Sequence, residues 1–326
     1  SNNVINEIET EKKEIRSSTS DILGEMCRFY EKLYNSNSIP DNEINSYLGD
    51  CEIKHLTEND KKICDSFPTL EECKDAVMNL KSNKSPGLDG IPNEFYQSFW
   101  KDLSTIFYGM MKETYINDVM SYTQKLSVIS LIHKKGSKRL LKNYRPISLT
   151  NTDYKIIAFI FARRLKNIID KYISNEQTAY IQGRFIGINA RLILDIFEYC
   201  ENNNQEGILL FLDFEKAFDS VEWNFLFKTL EKFNFGKCFI NWIKILYKNP
   251  LFRLKNNGWM SKTCQMKRGI RQGCPISAIL YFFVAEILSA KIKNSVNIQG
   301  FKHRNSDKEI KNIVFCHNAY LSLGMR

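Results

Sequence analysis

The chain has 326 residues, 43% hydrophobic and 25% charged. This excludes a disordered or low-complexity protein and leaves room for roughly two or three units with sizeable cores. Nine cysteines occur without a C-x-x-C pair, so neither a disulfide framework nor a zinc motif is indicated. The count fits a reducing compartment, nucleus or cytoplasm. Of the formal charge of +9, residues 121–171 supply the whole surplus: twelve Lys or Arg stand against two Asp or Glu, and the rest of the chain carries −1. A polyanionic partner, nucleic acid or a nucleotide triphosphate, is a natural reading, and a solvated basic face is the plain alternative.

The first residue is Ser, which predicts a piece of a longer chain, and no secretory signal opens it. Residues 1–35 are charged and helix-prone, with apolar positions at Ile22, Leu23, Met26, Phe29, Tyr30 and Leu33. Residues 35–68 are polar and irregular, a loop or linker. Thr69, with Glu72 three residues on, reads as a helix start. Gly and Pro punctuate 85–92, and a periodic helix follows over 94–115. Residues 126–133 read as a strand, 134–142 as a basic loop and 147–150 as a short strand. Asp153 can cap a helix carrying Ile156, Ile157, Ile160, Leu165, Ile168 and Ile169 on its apolar face.

Further on, residues 208–214 read as a buried, central strand and 222–233 as a helix with Gly236 near its end. Residues 251–262 read as a hairpin turning at Asn256-Asn257-Gly258. The longest apolar stretch, 276–290, contains Glu286 and is too short to span a bilayer comfortably, so a buried helix over 276–293 is expected and no membrane partner. Residues 310–323 read as two strands joined near His317-Asn318. No internal repeat is visible. Mixed helices and antiparallel strands argue for an α+β fold.

Four stretches carry chemistry. In Leu210-Phe211-Leu212-Asp213-Phe214-Glu215-Lys216-Ala217-Phe218-Asp219 the apolar residues of a strand lead straight into a carboxylate, which a sheet edge could offer to a divalent cation; a strand ending in a solvated Asp is equally commonplace. Arg271-Gln272-Gly273-Cys274-Pro275-Ile276-Ser277 is a Gly turn before a long helix, able to approach a ligand closely or simply to start that helix. Asn143-Tyr144-Arg145-Pro146-Ile147-Ser148-Leu149 puts a guanidinium beside the basic loop, which suits phosphate. Ser85-Pro86-Gly87-Leu88-Asp89-Gly90-Ile91-Pro92 is a rigid multi-turn loop.

In this order and spacing the four resemble the reverse transcriptases of non-LTR retrotransposons, especially the LINE-1 type. SVISLIHKKG, the segment QTAYIQGRF and the upstream FYEKLYNS extend the resemblance from about residue 29 to the end. It implies a right-hand polymerase fold. Residues 1–75 would be a helical N-terminal extension and linker, 76–205 the fingers with the start of the palm, and 206–326 the palm with its antiparallel sheet, truncated after motif C and lacking the thumb. The upstream endonuclease of the family is not expected in this span. LDFEKAFDSV is similar to motif A, so Asp213 matches the catalytic, metal-binding aspartate. Phe218 matches the position that excludes a ribose 2′-OH. Lys134 and Arg145 match finger residues near the triphosphate, Gln272 and Gly273 match the motif B turn beside the nascent base pair, and Phe214 joins this nucleotide-binding set. The implied partners are an RNA template, a DNA primer and dNTP, with Mg²⁺ as cofactor. The implied reaction is in-line attack of a primer 3′-OH on the α-phosphate.

Motif C departs from the family. An aromatic residue, Ala and two Asp are expected; the chain reads Phe315-Cys316-His317-Asn318. Two Mg²⁺ ions about 3.5–4 Å apart need anionic oxygen ligands, neutral His favours softer metals, and Asn is a weak donor. A Cys316/His317 metal pair is disfavoured because adjacent strand residues point to opposite faces. His317 and Asn318 are therefore degenerate catalytic positions, metal binding is expected to be impaired, and the chain is expected to be an inactive reverse transcriptase domain. The alternative is a non-catalytic nucleic-acid-binding scaffold reusing the fold. Ala278, where the family has Pro, is a minor change.

Overall fold

In the computed structural model, which describes residues 4–178, 181–302, 309–315 and 318–324, the chain opens with a small ribbon, β1 (Ile8–Glu9) against β2 (Ile15–Arg16). Helix α1 (Thr19–Leu33) follows, capped by Ser18, whose hydroxyl accepts from the Asp21 amide. Residues 35–68 are not irregular, as expected, but hold two helices, α2 (Asp41–Gly49) and α3 (Glu58–Asp65). Each buries only two side chains, Ile44 and Leu48 in one, Asp60 and Cys64 in the other, too few for an apolar period to register.

Helix α4 (Leu70–Asn79) starts at the expected capping box: Thr69 Oγ1 accepts from Glu72 N at 3.2 Å, and Glu72 Oε2 accepts from Thr69 N at 2.8 Å. The helix expected over 94–115 is broken at Phe99 into α5 (Asn93–Ser98) and α6 (Trp100–Ile116). A single turn, α7 (Tyr122–Lys125), leads into β3 (Leu126–His133), and β4 (Tyr144–Leu149) returns beside it. Strand β4 tolerates Pro146 because it is an edge strand. Asn151, not Asp153, occupies the cap position of α8 (Thr152–Lys166); the Asp153 carboxylate instead accepts from Tyr154 N at 2.7 Å. The turn α9 (Ile169–Tyr172) follows.

Helix α10 (Ile186–Asn202) has no counterpart in the sequence reading. Its apolar residues Ile186, Ile188, Leu194 and Phe197 are exposed, so they trace no buried stripe. After β5 (Gly207–Asp213) come α11 (Trp223–Lys232) and α12 (Lys237–Leu246). Gly236 begins α12 rather than closing α11. The Asp65 carboxylate sits where a Cβ of residue 236 would be, and its Oδ1 accepts from Phe239 N at 2.9 Å.

The expected hairpin is β6 (Leu251–Asn256) and β7 (Trp259–Met260), with Asn257 and Gly258 both at positive φ, 48° and 83°. Then come β8 (Cys264–Gln265), the long helix α13 (Ser277–Asn294), the pair β9 (Phe301–Lys302) and β10 (Glu309–Ile310), and finally β11 (Asn312–Phe315) and β12 (Asn318–Gly324).

Two sheets position the site. One runs β4-β3-β6-β7, with β8 also on β6; β3 and β6 are parallel, Leu126 opposite Leu251. The other is β11-β12-β5, antiparallel throughout. Helix α1 covers the first sheet, and Met26, Tyr30 and Tyr34 share a core with Ile129, Leu131, Phe252 and Leu254. A larger core joins α4, α6, α8, α11, α12 and α13 around Phe161, Trp242 and Phe283. No helix among the described residues is long and apolar enough to cross a membrane.

Strand β5 is neither buried nor central, contrary to expectation. It lies at the edge of its sheet, and Ile208, Leu210 and Phe211 are 46%, 41% and 60% exposed. An apolar run signals a strand that can be covered on both faces; it does not supply the cover, and one paired edge with partial packing leaves this run open.

Candidate functional site

Asp213 is the last residue of β5, where the chain leaves the sheet for a tight turn. The register sets Asn318 of β12 directly opposite it, and Phe315 opposite Asn318 across the neighbouring hairpin. Directly opposed antiparallel residues lie about 4.5–5.5 Å apart between Cα atoms. The C-terminal hairpin is thus brought beside the Asp213 strand, as the motif order predicts. His317 lies outside the described residues.

The turn after Asp213 passes Lys216, at φ 54°, and enters a 3₁₀ turn at Phe218–Ser220. Lys216 Nζ donates to the Tyr144 carbonyl at 2.9 Å, tying this turn to the start of β4. Burial and desolvation pull the Lys216 ammonium below its usual pKa, opposed by Asp219 and Glu215. The Phe218 ring stacks on Tyr281 of α13, centroids 4.8 Å apart. The sequence reading puts Lys134 in the basic loop after one strand and Arg145 just before the next; the structure sets them together at one end of the β3–β4 pair. Arg145 is opposite Ile132, and Lys134 N donates to the Asn143 carbonyl at 2.9 Å. Both side chains are exposed.

The Arg271–Cys274 turn is fixed from three sides. Arg271 is buried, donates from Nη2 to the Lys125 carbonyl at 2.7 Å and lies over the Tyr154 ring at 4.7 Å. The Gln272 carbonyl accepts from Ser148 N at 2.8 Å, which docks the turn on β4. Gly273 has φ 98°, and a Cβ there would stand 3.1 Å from the Ser148 carbonyl, so the turn needs Gly. Gln272 Nε2 donates to Asp219 Oδ2 at 3.0 Å, and Tyr34 Oη donates to Asp219 Oδ1 at 3.1 Å. Burial pushes the Asp219 carboxyl up to about 6, against the pull of Lys216, Tyr34 and Gln272. Strand β4, the turn after β5 and the Gln272 turn therefore converge. Tyr34, Lys216 and Asp219 complete the cluster without having been singled out. Their signal was present, a tyrosine in FYEKLYNS and two charges in LDFEKAFD, but neither stretch says whom they touch.

The twelve cations of residues 121–171 do not form one patch. Arg163 pairs with Asp75, Arg164 with Glu72 and Lys171 with Asp60, all framework contacts between helices. Lys134, Lys135, Lys138, Lys142 and Arg145 are exposed around the β3–β4 connection and make no ion pair among the described residues. These are the cations available to a polyanion.

Phe214 lines a cavity of about 550 Å³ together with Glu215, Ala217, Phe225, Tyr281 and Leu288. The cavity is mainly apolar and includes neither Asp213, Arg145 nor Gln272, so it lies apart from the groups suited to phosphate. The donors at the strand end fit a pair of divalent cations poorly. Asp213 is the one carboxylate there that the sequence assigns, its register partner Asn318 is neutral, and Asp219 is committed to Tyr34 and Gln272. No group of three or more His, Cys, Asp or Glu able to hold a metal occurs among the described residues.

Residues 132–315 match the family model described as reverse transcriptase (RNA-dependent DNA polymerase). The chain belongs to the reverse transcriptase family, a family that conventionally uses a divalent metal. Its relatives are proteins of non-LTR, LINE-type elements. It is 34% identical to the transposon TX1 uncharacterized 149 kDa protein of Xenopus laevis over 79% of this chain and 20% of that protein. It is 24% identical to the Pol polyprotein of the type-2 retrotransposable element R2DM of Drosophila melanogaster, over 70% of this chain and 21% of that one. With the RNA-directed DNA polymerase of the Drosophila mobile element jockey it shares 25% identity over 66% of this chain and 24% of the relative. The chain thus spans about a fifth of the length of these relatives.

Proposed function

We propose that the chain is the nucleotide- and nucleic-acid-handling part of an RNA-directed DNA polymerase of the LINE-1 kind, and that its polymerase centre is incomplete. Residues 76–205 act as fingers, joined by β6 to β8 in the fingers sheet, and the rest of the chain from 206 on acts as palm. Residues 1–75 pack onto the fingers sheet through α1. Lys134 and Arg145 take the triphosphate of a dNTP, and Gln272 and Gly273 lie beside the nascent base pair. Phe218, held by Tyr281, screens the ribose 2′ position. An RNA template and DNA primer run past the five exposed cations of the β3–β4 connection.

The observation that carries the reading is the register Asp213 to Asn318. It brings position 318 opposite Asp213, and this chain carries Asn there where the resemblance to motif C implies a carboxylate. A single carboxylate such as Asp213 is a weak seat for two Mg²⁺ ions, whose four positive charges need several anionic oxygens. Each well-placed electrostatic group in such a site is typically worth about 3–4 kcal/mol of barrier, so with both motif C carboxylates replaced a loss of about a thousandfold or more in rate follows. Primer extension on an RNA template, with Mg²⁺ and with Mn²⁺, should give no template-directed product. Extension abolished by Asp213→Ala would refute the inactive-centre reading. The His317→Asp, Asn318→Asp double variant should raise Mg²⁺ affinity, read by calorimetry.

A further inference from the structure

We propose that Tyr34 and Asp219 are positioning residues that fix the side-chain amide of Gln272, so that the C-terminal end of α1 sets the geometry of the nucleotide site. The inference rests on reading Gln272 as a nucleotide contact.

Asp219 is 1% exposed, and its two carboxylate oxygens are divided between two partners from distant parts of the chain. Oδ1 accepts from Tyr34 Oη at 3.1 Å, and Oδ2 accepts from Gln272 Nε2 at 3.0 Å. A carboxylate only accepts, so it selects the amide orientation that turns Nε2 toward it. The Gln272 main chain is held separately, its carbonyl accepting from Ser148 N at 2.8 Å. With both ends fixed, the amide plane is set before any ligand arrives, the condition for low-cost recognition.

Tyr34 is the anchor of this arrangement. It is 2% exposed, its ring meets Tyr30 and Phe252, and its carbonyl accepts from Lys267 N at 2.9 Å and Arg268 N at 3.2 Å. One residue at the end of α1 therefore holds the segment entering the Gln272 turn and, through its hydroxyl, the carboxylate that holds the Gln272 side chain. Arg268 Nε donates to the Leu33 carbonyl at 3.0 Å, and Glu222 pairs with Arg268 while accepting from Ser36 and Asn37, so the contact is broad. The groups around Asp219 are Lys216 on its own turn, Tyr30 on α1, Tyr34 at its C-cap, and Gln272. Only Lys216 is cationic, and with the two donors it favours the ionised carboxylate that the orientation requires. Burial opposes them and raises the carboxyl to about 6.

The test uses the ¹⁵N-labelled full chain, with the Gln272 side-chain NH₂ pair assigned by its loss in Gln272→Met. The pair should shift with pH, with a midpoint near 6, as the carboxylate is protonated. Tyr34→Phe keeps the ring and removes one donor to the ionised form, so it should displace the pair and raise the midpoint. Asp219→Asn should abolish the titration. A Gln272 pair insensitive to pH, or unchanged in Tyr34→Phe with native melting, overturns the proposal. A second arm titrates dATP with Mg²⁺. Gln272→Ala and Tyr34→Phe should each weaken binding by about tenfold, and the double variant no further. Unequal losses that add in the double variant overturn the coupling. If dATP binds and Gln272→Ala leaves its affinity intact, or if dATP fails to bind at all, the nucleotide-site reading falls, while the amide resonances still decide the relay.

Discussion

The Asp219→Asn variant should gain stability relative to the parent chain as the pH rises from 4.5 to 8. Burial lifts the Asp219 carboxyl from its ordinary 3.8 to about 6, with Lys216, Tyr34 and Gln272 pulling it back. The folded chain therefore holds this proton more tightly than the unfolded chain, and stability falls as the pH rises through that window and levels off above it. A carboxyl moved from 3.8 to about 6 corresponds to about 3 kcal/mol in full, with no discount for solvent because the group is buried. Roughly 2 kcal/mol of this accrues between pH 4.5 and 8. Asn has no proton to exchange, and its different hydrogen bonding adds a constant that does not vary with pH. Other carboxyls, among them Glu286, which burial also raises to about 6, titrate in both proteins and cancel. Urea unfolding of both proteins at several pH values reads the difference directly. A difference constant to within about 0.5 kcal/mol across this range would show that Asp219 is not the buried, elevated acid that the site geometry requires.

Arg164 is a second point of leverage. Its guanidinium is nearly buried, donates from Nε and Nη2 to the two Glu72 oxygens at 2.7 Å each and from Nη1 to the carbonyls of Cys64 and Ser66, joining α8 to α3 and α4. Arg164→Leu should cost about 3 kcal/mol in urea unfolding, since it takes the cationic partner from Glu72 and the Arg164 donor from two carbonyls; a loss below about 1 kcal/mol would class the pair with ordinary surface bridges. The exposed cations should govern RNA affinity. Replacing Lys135, Lys138 and Lys142 by Gln should lower the slope of log K against log salt by about 2 between 50 and 200 mM, at about 0.7 per phosphate contact on a single strand. An unchanged slope in fluorescence anisotropy would remove this loop from the interface.

Much of the local structure was legible in the sequence. The capping box at Thr69, the strand over 126–133, the Asn257-Gly258 turn and the C-terminal hairpin flanks depend on neighbours a few residues away, and the sequence displays those neighbours. The carboxylate at the end of β5 was legible for the same reason, an apolar run stopping at Asp213. Helices α2 and α3 were not, because their stability comes from docking a few side chains rather than from an apolar stripe. The exposure of β5 was misjudged, since its run reports what a strand could bury and not what covers it.

Tertiary structure alone decided the rest. The parallel pairing of β3 with β6 joins residues 126 and 251, and a pairing at that separation leaves no mark on either local pattern. The same holds for charge: Arg163, Arg164 and Lys171 belong to the same basic run as Lys134 and Arg145, yet carboxylates from α3 and α4 neutralise the first three and leave the loop cations open. Asp219 is the sharpest case. Sequence places it three residues from Lys216, but its elevated proton affinity, its hold on Gln272 and its link to Tyr34, 185 positions away, exist only once the fold removes water from it. A residue type fixes which bonds and charges are available; burial and partners, which are set by contacts distant in sequence, fix which of them are used.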